Sequence, residues 1–315
     1  MATPIGGRID FSKLSVVISQ FGGDSRDVER HLDILGIKTL SVSEDYDRIC
    51  HSIDRDKPDL LLCAMHPGQK EAHTLIRGIR HQDIGANPFP VILSIANPMT
   101  PADSAQAINT GLDSLLLAPF DRDSFVRRVN DLAFNRKKFV AAPGYIGPTR
   151  RVSTRTETGA GEEFDVPNPV HAAGTGMSRD EMWRQINAAS RSLSTRKLSN
   201  DITAIRRLIY EIMPDYEACT ITERFHQRVA ELHDVITMIR RRAQKLVNRD
   251  LVSMCELANN VLGEIRERPT PPNLKHLRAM PKLISGFQMA LVAMPERRAE
   301  RHDLHKPVTD LTIPC

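Results

Sequence analysis

The stretch Lys57-Pro58-Asp59-Leu60-Leu61-Leu62-Cys63-Ala64-Met65-His66-Pro67-Gly68 sets an apolar run of strand length against a Pro-Gly loop, the place where α/β sheets present their reactive groups. Neither Cys63 nor Ala64, at the end of that run, offers a carboxylate. The remaining chemistry is sparse. Cys50, Cys63, Cys219, Cys255 and Cys315 form no Cys-x-x-Cys pair, so reduced, mostly buried thiols are expected rather than a zinc site or a disulfide framework. The chain has no Gly-rich phosphate loop, no Ser/His/Asp or Cys/His set and no metal-ligand cluster, so neither a cofactor nor an enzymatic activity is expected. Arg240-Arg241-Arg242, with Lys245 and Arg249, is a basic run suited to an acidic protein partner or nucleic acid, or to complementing a helix C-terminus. With no short helix-turn-helix and no aromatic interleaving, nucleic acid is the weaker reading.

These residues sit in two differently patterned halves. From residue 13 to about 140, short apolar runs at 14–19, 39–42, 59–63, 90–95 and 114–117 alternate with amphipathic segments at 25–35, 46–54, 69–80, 101–109 and 122–135. That alternation predicts βαβ units: an α/β, doubly wound, five-stranded parallel sheet with helices on both faces and ligands at the strands' carboxyl ends. Gly36 and Gly111 follow two of the helices as left-handed caps. Residues 141–177, rich in Thr, Gly, Glu, Pro and Ala without apolar period, read as a linker that Tyr145 and Ile146 could pin at its start. Residues 178–294 turn helical, with segments at 178–197, 200–213, 221–246, 250–267 and 273–294, the last kinked at Pro281. In the third of these, Ile221, Phe225, Val229, Leu232, Ile236, Ile239, Ala243 and Leu246 step by three and four, so an all-α helical bundle is expected. Residues 295–315 read as a loose tail.

At 315 residues, 41% apolar and 26% charged, the chain has the composition of a two-domain globular protein. No run approaches the roughly 20 apolar residues of a bilayer span, and residues 1–13 lack a signal-peptide core, so no membrane insertion and a cytoplasmic location are expected. The net charge of +4 is uneven: residues 1–140 hold 17 Lys and Arg against 18 Asp and Glu, whereas residues 176–315 hold 23 against 17. That favours acidic partners without the density that argues for nucleic acid.

Pro58-Asp59 with its strand and Pro67-Gly68, Pro90-Val91-Ile92-Leu93-Ser94-Ile95-Ala96, and Gly111-Leu112-Asp113-Ser114-Leu115-Leu116-Leu117-Ala118-Pro119-Phe120 together resemble the receiver domain of two-component response regulators. Phe139-Val140 and Tyr145-Ile146-Gly147-Pro148-Thr149-Arg150-Arg151 resemble a tail found after receiver domains in some proteobacterial signalling proteins. The family's phosphorylation chemistry does not carry over. By the resemblance, the phosphoacceptor falls at Ala64 or Cys63, the magnesium-binding acidic pair near Ser19, Gln20 and Phe21, the switch hydroxyl at Ile95 or Ser94, and the phosphate-contacting lysine at Ala118. A hard cation needs anionic oxygens, and none of these residues supplies one. The Ala118-Pro119 bond is expected cis by the same resemblance.

The expected function is therefore that of a non-enzymatic, phosphorylation-independent signalling adaptor, a degenerate receiver fused to a helical bundle. Its partners would be signalling proteins such as a histidine kinase or another regulator, or a second copy of the chain. The resemblance places the docking face on the fourth helix, fifth strand and fifth helix, where Arg122, Arg127 and Arg128 are the exposed candidates. Glu231-Leu232-His233-Asp234 faintly resembles a histidine-kinase phosphoacceptor helix, which makes a phosphotransfer protein with His233 as carrier the alternative. No Gly-rich ATP boxes follow it, so autophosphorylation is excluded.

Overall fold

The computed structural model describes residues 10–20, 26–66, 68, 70–142, 144–150 and 162–293. Phe21, Ser25, Pro67, Gln69, Arg151, Cys315, the middle of the expected linker (151–161) and the expected tail lie outside them. The chain divides into two compact units, Met1–Arg191 and Ser192–Cys315.

The first unit opens with a short 3-10 turn, Phe11–Lys13, and then alternates β1 Ser15–Ser19, α1 Arg26–Ile34, β2 Lys38–Ser43, α2 Tyr46–Asp56, β3 Leu60–Met65, α3 Lys70–His81, β4 Val91–Ala96, α4 Pro101–Ile108, β5 Ser114–Leu117 and α5 Arg122–Phe134. The strands form one parallel sheet in the order β2-β1-β3-β4-β5. The five apolar runs and five amphipathic segments thus become the expected elements. Side chains alternate across the sheet, so each strand feeds two cores. Val16, Ile18, Leu60, Leu62, Val91 and Leu93 pack with Val28, Leu32, Phe125 and Val129 of α1 and α5. Val17, Leu61, Cys63 and Ile92 pack on the other face with Ile49, Ile53, Leu75, Ile76 and Ile79 of α2 and α3. Asp45, Thr100 and Asp121 cap α2, α4 and α5 by accepting from Arg48, Asp103 and Ser124 amides.

The linker reading needs correction. Within the described part of residues 141–177, β6 Phe139–Ala142 and β7 Tyr145–Pro148 form an antiparallel hairpin, and Pro169–Thr175 forms a helix, α6. The hairpin is held at a close backbone approach. A Cβ on Gly111, whose φ is +100°, would collide with the Ile146 carbonyl, and one on Gly147 would come within 2.6 Å of Gly111 Cα. The Arg150 guanidinium donates to the Leu112 carbonyl. Beneath the hairpin, Arg80, Asp113 and Arg136 are almost completely buried. Arg80 bonds Asp113 at 2.7 Å and donates to Gly111, Pro88 and Pro90 carbonyls, and Arg136 reaches the other Asp113 oxygen at 2.9 Å and donates to Phe89 and Pro167 carbonyls. Both guanidinium carbons lie 5.0 Å from the Phe139 ring centroid. Asn168 both caps α6 and donates to the Leu132 and Ala133 carbonyls, so the helix is docked on the end of α5.

The helical reading also changes in one place. The segments expected at 178–197 and 200–213 are a single helix, α7 Arg179–Glu217, because Leu198 and Ile202 continue the buried stripe through Ser199 and Asn200, and Pro214 falls within the last turn. Its beginning belongs to the first unit, where Met182 and Ile186 are buried, so the bundle begins near residue 192 rather than 178. The second unit adds α8 Glu223–Lys245, α9 Arg249–Glu267 and α10 Leu274–Val292, the last running through Pro281. Its core joins Ile205, Ile209 and Ile212 to Phe225, Val229, Leu232, Ile236 and Ile239, and to Leu251, Cys255, Leu262, Ile284 and Phe287.

Candidate functional site

The register aligns the carboxyl ends of the strands. Ser19 pairs with Cys63 and Cys63 with Ser94, and one residue further along Ala64 pairs with Ile95, so three small side chains form a row across β1, β3 and β4. The row lies where strand order reverses, the position at which doubly wound sheets bind ligands. Ala118 closes the same edge, its amide donating to the Ala96 carbonyl at 2.8 Å, and Gln20 flanks it with its side-chain amide on Glu29 of α1 at 3.1 Å. Ser19, Gln20, Cys63, Ala64, Ser94, Ile95 and Ala118 thus all lie at the carboxyl ends of the strands, though not all on one face.

Their environment is apolar. Cys63 is fully buried, and that burial pushes its thiol up to about 12 against a smaller opposing effect of the Ser19 hydroxyl. A neutral, enclosed thiol is neither a nucleophile nor a metal ligand at ordinary pH. Ala64 and Ile95 turn to the opposite face, where Ile95 packs on the α1/α5 core. Among the described residues the buried Ser94 hydroxyl has no hydrogen-bond partner, nor has His66 Nε2 beyond the end of β3. Among the described residues no group of three or more His, Cys, Asp or Glu is arranged to hold a metal ion. The Ala118-Pro119 bond is cis, as the resemblance implied.

On the fourth-helix to fifth-helix face, Arg122 is exposed and Arg128 half-buried. Arg127 is exposed but held by the Ser124 hydroxyl at 2.9 Å and by Asp121 at 4.0 Å. Leu117 adds an exposed apolar side chain. In the second unit His233 is half-buried on α8 beside an exposed Asp234. The basic run does not form one surface, because successive helical residues point about 100° apart. Arg242 is ion-paired with Asp201 of α7, Arg240 with Glu256 of α9 at 3.6 Å, and Arg241 is exposed. Of the cysteines, Cys63 and Cys255 are buried, Cys50 half-buried and Cys219 exposed. The sequence reading missed the Arg80-Asp113-Arg136 cluster, for which the available signal was an arginine continuing the buried stripe Ala72, Ile76 and Ile79 of α3. It also missed a cavity at the opposite, amino-terminal end of β1 and β3.

A parallel sheet in the order β2-β1-β3-β4-β5 with helices on both faces is the flavodoxin-like doubly wound order, which receiver domains share. Similar solved structures include the signal receiver domain of the response regulator NarL from Mycobacterium tuberculosis, at 25% identity over 39% of this chain and 98% of that one, with a TM-score of 0.34. A response-regulator receiver domain from Bermanella marisrubri is similar at 21% identity over 38% and 97%, with a TM-score of 0.33. The receiver domain of a sensor histidine kinase from Pseudomonas aeruginosa, with magnesium in its active-site cleft, is similar at 19% identity over 38% and 94%, with a TM-score of 0.32. No family model matches the chain, and no curated protein matches it.

Proposed function

We propose that this chain is a signalling protein whose receiver-type unit works without aspartate phosphorylation and which acts, with its helical unit, by docking other signalling proteins rather than by catalysis. The observation that carries the reading is the composition of the carboxyl edge. By the resemblance, Cys63 or Ala64, Gln20, Ile95 and Ala118 stand for a receiver's phosphoacceptor, metal ligand, switch hydroxyl and lysine; Ala64 and Ile95 turn to the other face from Cys63, and none of the five can take those parts. Magnesium binding there would need carboxylates to offset the loss of water from the ion. Without the ion, charge on a transferring phosphoryl group has nothing to neutralise it. The sheet around the edge keeps both its cores, which suits a domain retained for its surface.

Intact-mass measurement after incubation with acetyl phosphate and magnesium, and separately with a phosphorylated histidine kinase, tests the reading. Wild type and Ala64→Asp are both expected to stay unmodified, since one aspartate restores neither the metal site nor the lysine. A phosphoryl adduct on wild type would overturn the proposal, and its loss in His233→Ala would identify a phosphotransfer protein instead.

A further inference from the structure

At the amino ends of β1 and β3, opposite the edge just described, the first unit holds a half-open cavity of about 270 Å³ between the sheet, α6 and the first turns of α7. Its polar rim is cationic. Lys57, held at φ 50° as the cap of α2, places its ammonium 4.8 Å from the centroid of Trp183. Arg179 donates to the Ser15 hydroxyl at 3.1 Å and lies 3.9 Å from Asp59, and Lys13 completes the set. Asp59, the only carboxylate of the lining among the described residues, is already engaged, accepting from the Ser15 amide at 2.9 Å and its hydroxyl at 2.6 Å. Lys13 pairs with Asp10, a residue outside the lining, at 3.6 Å. Three cations thus face a space with one internally satisfied anion.

Apart from the buried Asn87, the remaining wall is apolar and partly flat. Trp183, Met182 and Ile186 of α7 face Ala172 and Ala173 of α6, and Gly176, at φ +84°, leaves the approach to Lys13 clear of a side chain. The volume exceeds the roughly 150 Å³ that holds benzene and approaches the lower end, about 300 Å³, of small-molecule pockets. A half-open pocket with an apolar wall on one side and a cationic rim on the other is complementary to a ring that carries a negative charge.

We infer that this cavity binds a small aromatic anion, its phosphate or carboxylate held by Arg179 and Lys57 and its ring against Trp183. Such a site would give the unit a chemical input that needs no phosphorylated aspartate. It lies apart from Ala64 and from the fourth-helix to fifth-helix face, so it stands whether or not the docking proposal does.

Trp183 is the chain's single tryptophan, so its emission reports the cavity directly. The full-length protein is titrated with phenyl phosphate, with phenol and with inorganic phosphate, and binding of phenyl phosphate is checked by calorimetry. Phenyl phosphate is expected to change the emission saturably, with phenol and inorganic phosphate each at least about tenfold weaker because each lacks half of the match. Arg179→Met and Lys57→Met, at side chains exposed enough to leave folding intact, are each expected to weaken phenyl phosphate by about tenfold. No saturable response in either measurement, phenol binding as well as phenyl phosphate, or unchanged affinity in both variants would overturn the inference.

Discussion

Cys63 and Asp113 show how burial acts on single residues with opposite results. For Cys63 burial acts almost alone, and the thiol is held neutral at about 12. Native alkylation at pH 8 followed by peptide mass mapping is therefore expected to modify the exposed Cys219 and to spare Cys63 and Cys255 until denaturant is added. For Asp113 burial again favours the neutral form, but Arg136 and Arg80 outweigh it and hold the carboxyl below its usual value of 3.8. Burial also lowers Arg80, to about 10, which still leaves it charged at neutral pH. A carboxylate whose folded-state pKa is depressed stabilises the fold above its unfolded pKa, and that contribution is lost as pH falls through the folded value. Asp113→Asn leaves two buried guanidinium groups short of a counter-charge. It is expected to cost about 3–5 kcal/mol at pH 7 in urea denaturation, and the difference from wild type should shrink as pH is taken below about 4.

At the scale of elements, the second unit is tied by a polar relay as well as by its apolar stripe. Near the end of α7 the Tyr216 hydroxyl accepts the Asn273 amide at 3.0 Å and meets His276 Nδ1 at 3.1 Å, while His276 Nε2 lies 2.8 Å from the Glu264 carboxylate. An ionised carboxylate only accepts, so Nε2 carries a hydrogen, and in the neutral ring Nδ1 accepts from the Tyr216 hydroxyl. One hydroxyl thereby joins the end of α7 to the start of α10 and, through the ring, to α9. Tyr216→Phe keeps the stacking on Phe225 but strands the Asn273 amide and a ring nitrogen. It is expected to lower the stability of the helical unit by about 1–3 kcal/mol in thermal denaturation. His233→Ala, at a half-buried surface position of α8, is expected to stay within about 0.5 kcal/mol of wild type.

At the scale of the molecule, the boundary near residue 191 has consequences for how the chain can be divided. A fragment ending at residue 140 loses several ties to the first unit: the pairing of Phe164 with Phe139, the Arg136 bond to Pro167, and the α6 docking through Asn168, Val170 and the Asp10 amide on Gly174. Residues 1–191 are expected to unfold cooperatively at a higher temperature than residues 1–140, by circular dichroism. Equal midpoints would show α6 and the hairpin to be ornaments of the unit. Among the described residues no helix is long and apolar enough to cross a membrane.

Read by itself, the order of residues determined the local elements: five apolar runs, five amphipathic segments, the caps at Gly36 and Gly111, and the chemically empty strand ends at Cys63, Ala64 and Ala118. These follow from period, turn chemistry and side-chain type, which are properties of neighbours in the chain. The sequence did not reveal α6, because its seven residues carry no apolar period, although Asn168-Pro169 is a fair start signal. Nor did it show that Ser199 and Asn200 continue a helix, since flanking Leu198 and Ile202 decide that by burial. The Arg80-Asp113-Arg136 cluster, the pairing of Arg242 with Asp201 and the meeting of Lys57 with Trp183 belong to the tertiary structure alone. Each joins residues tens of positions apart that only the packed fold brings together, and in the buried Arg80-Asp113-Arg136 cluster it also removes the water that would otherwise screen the charges.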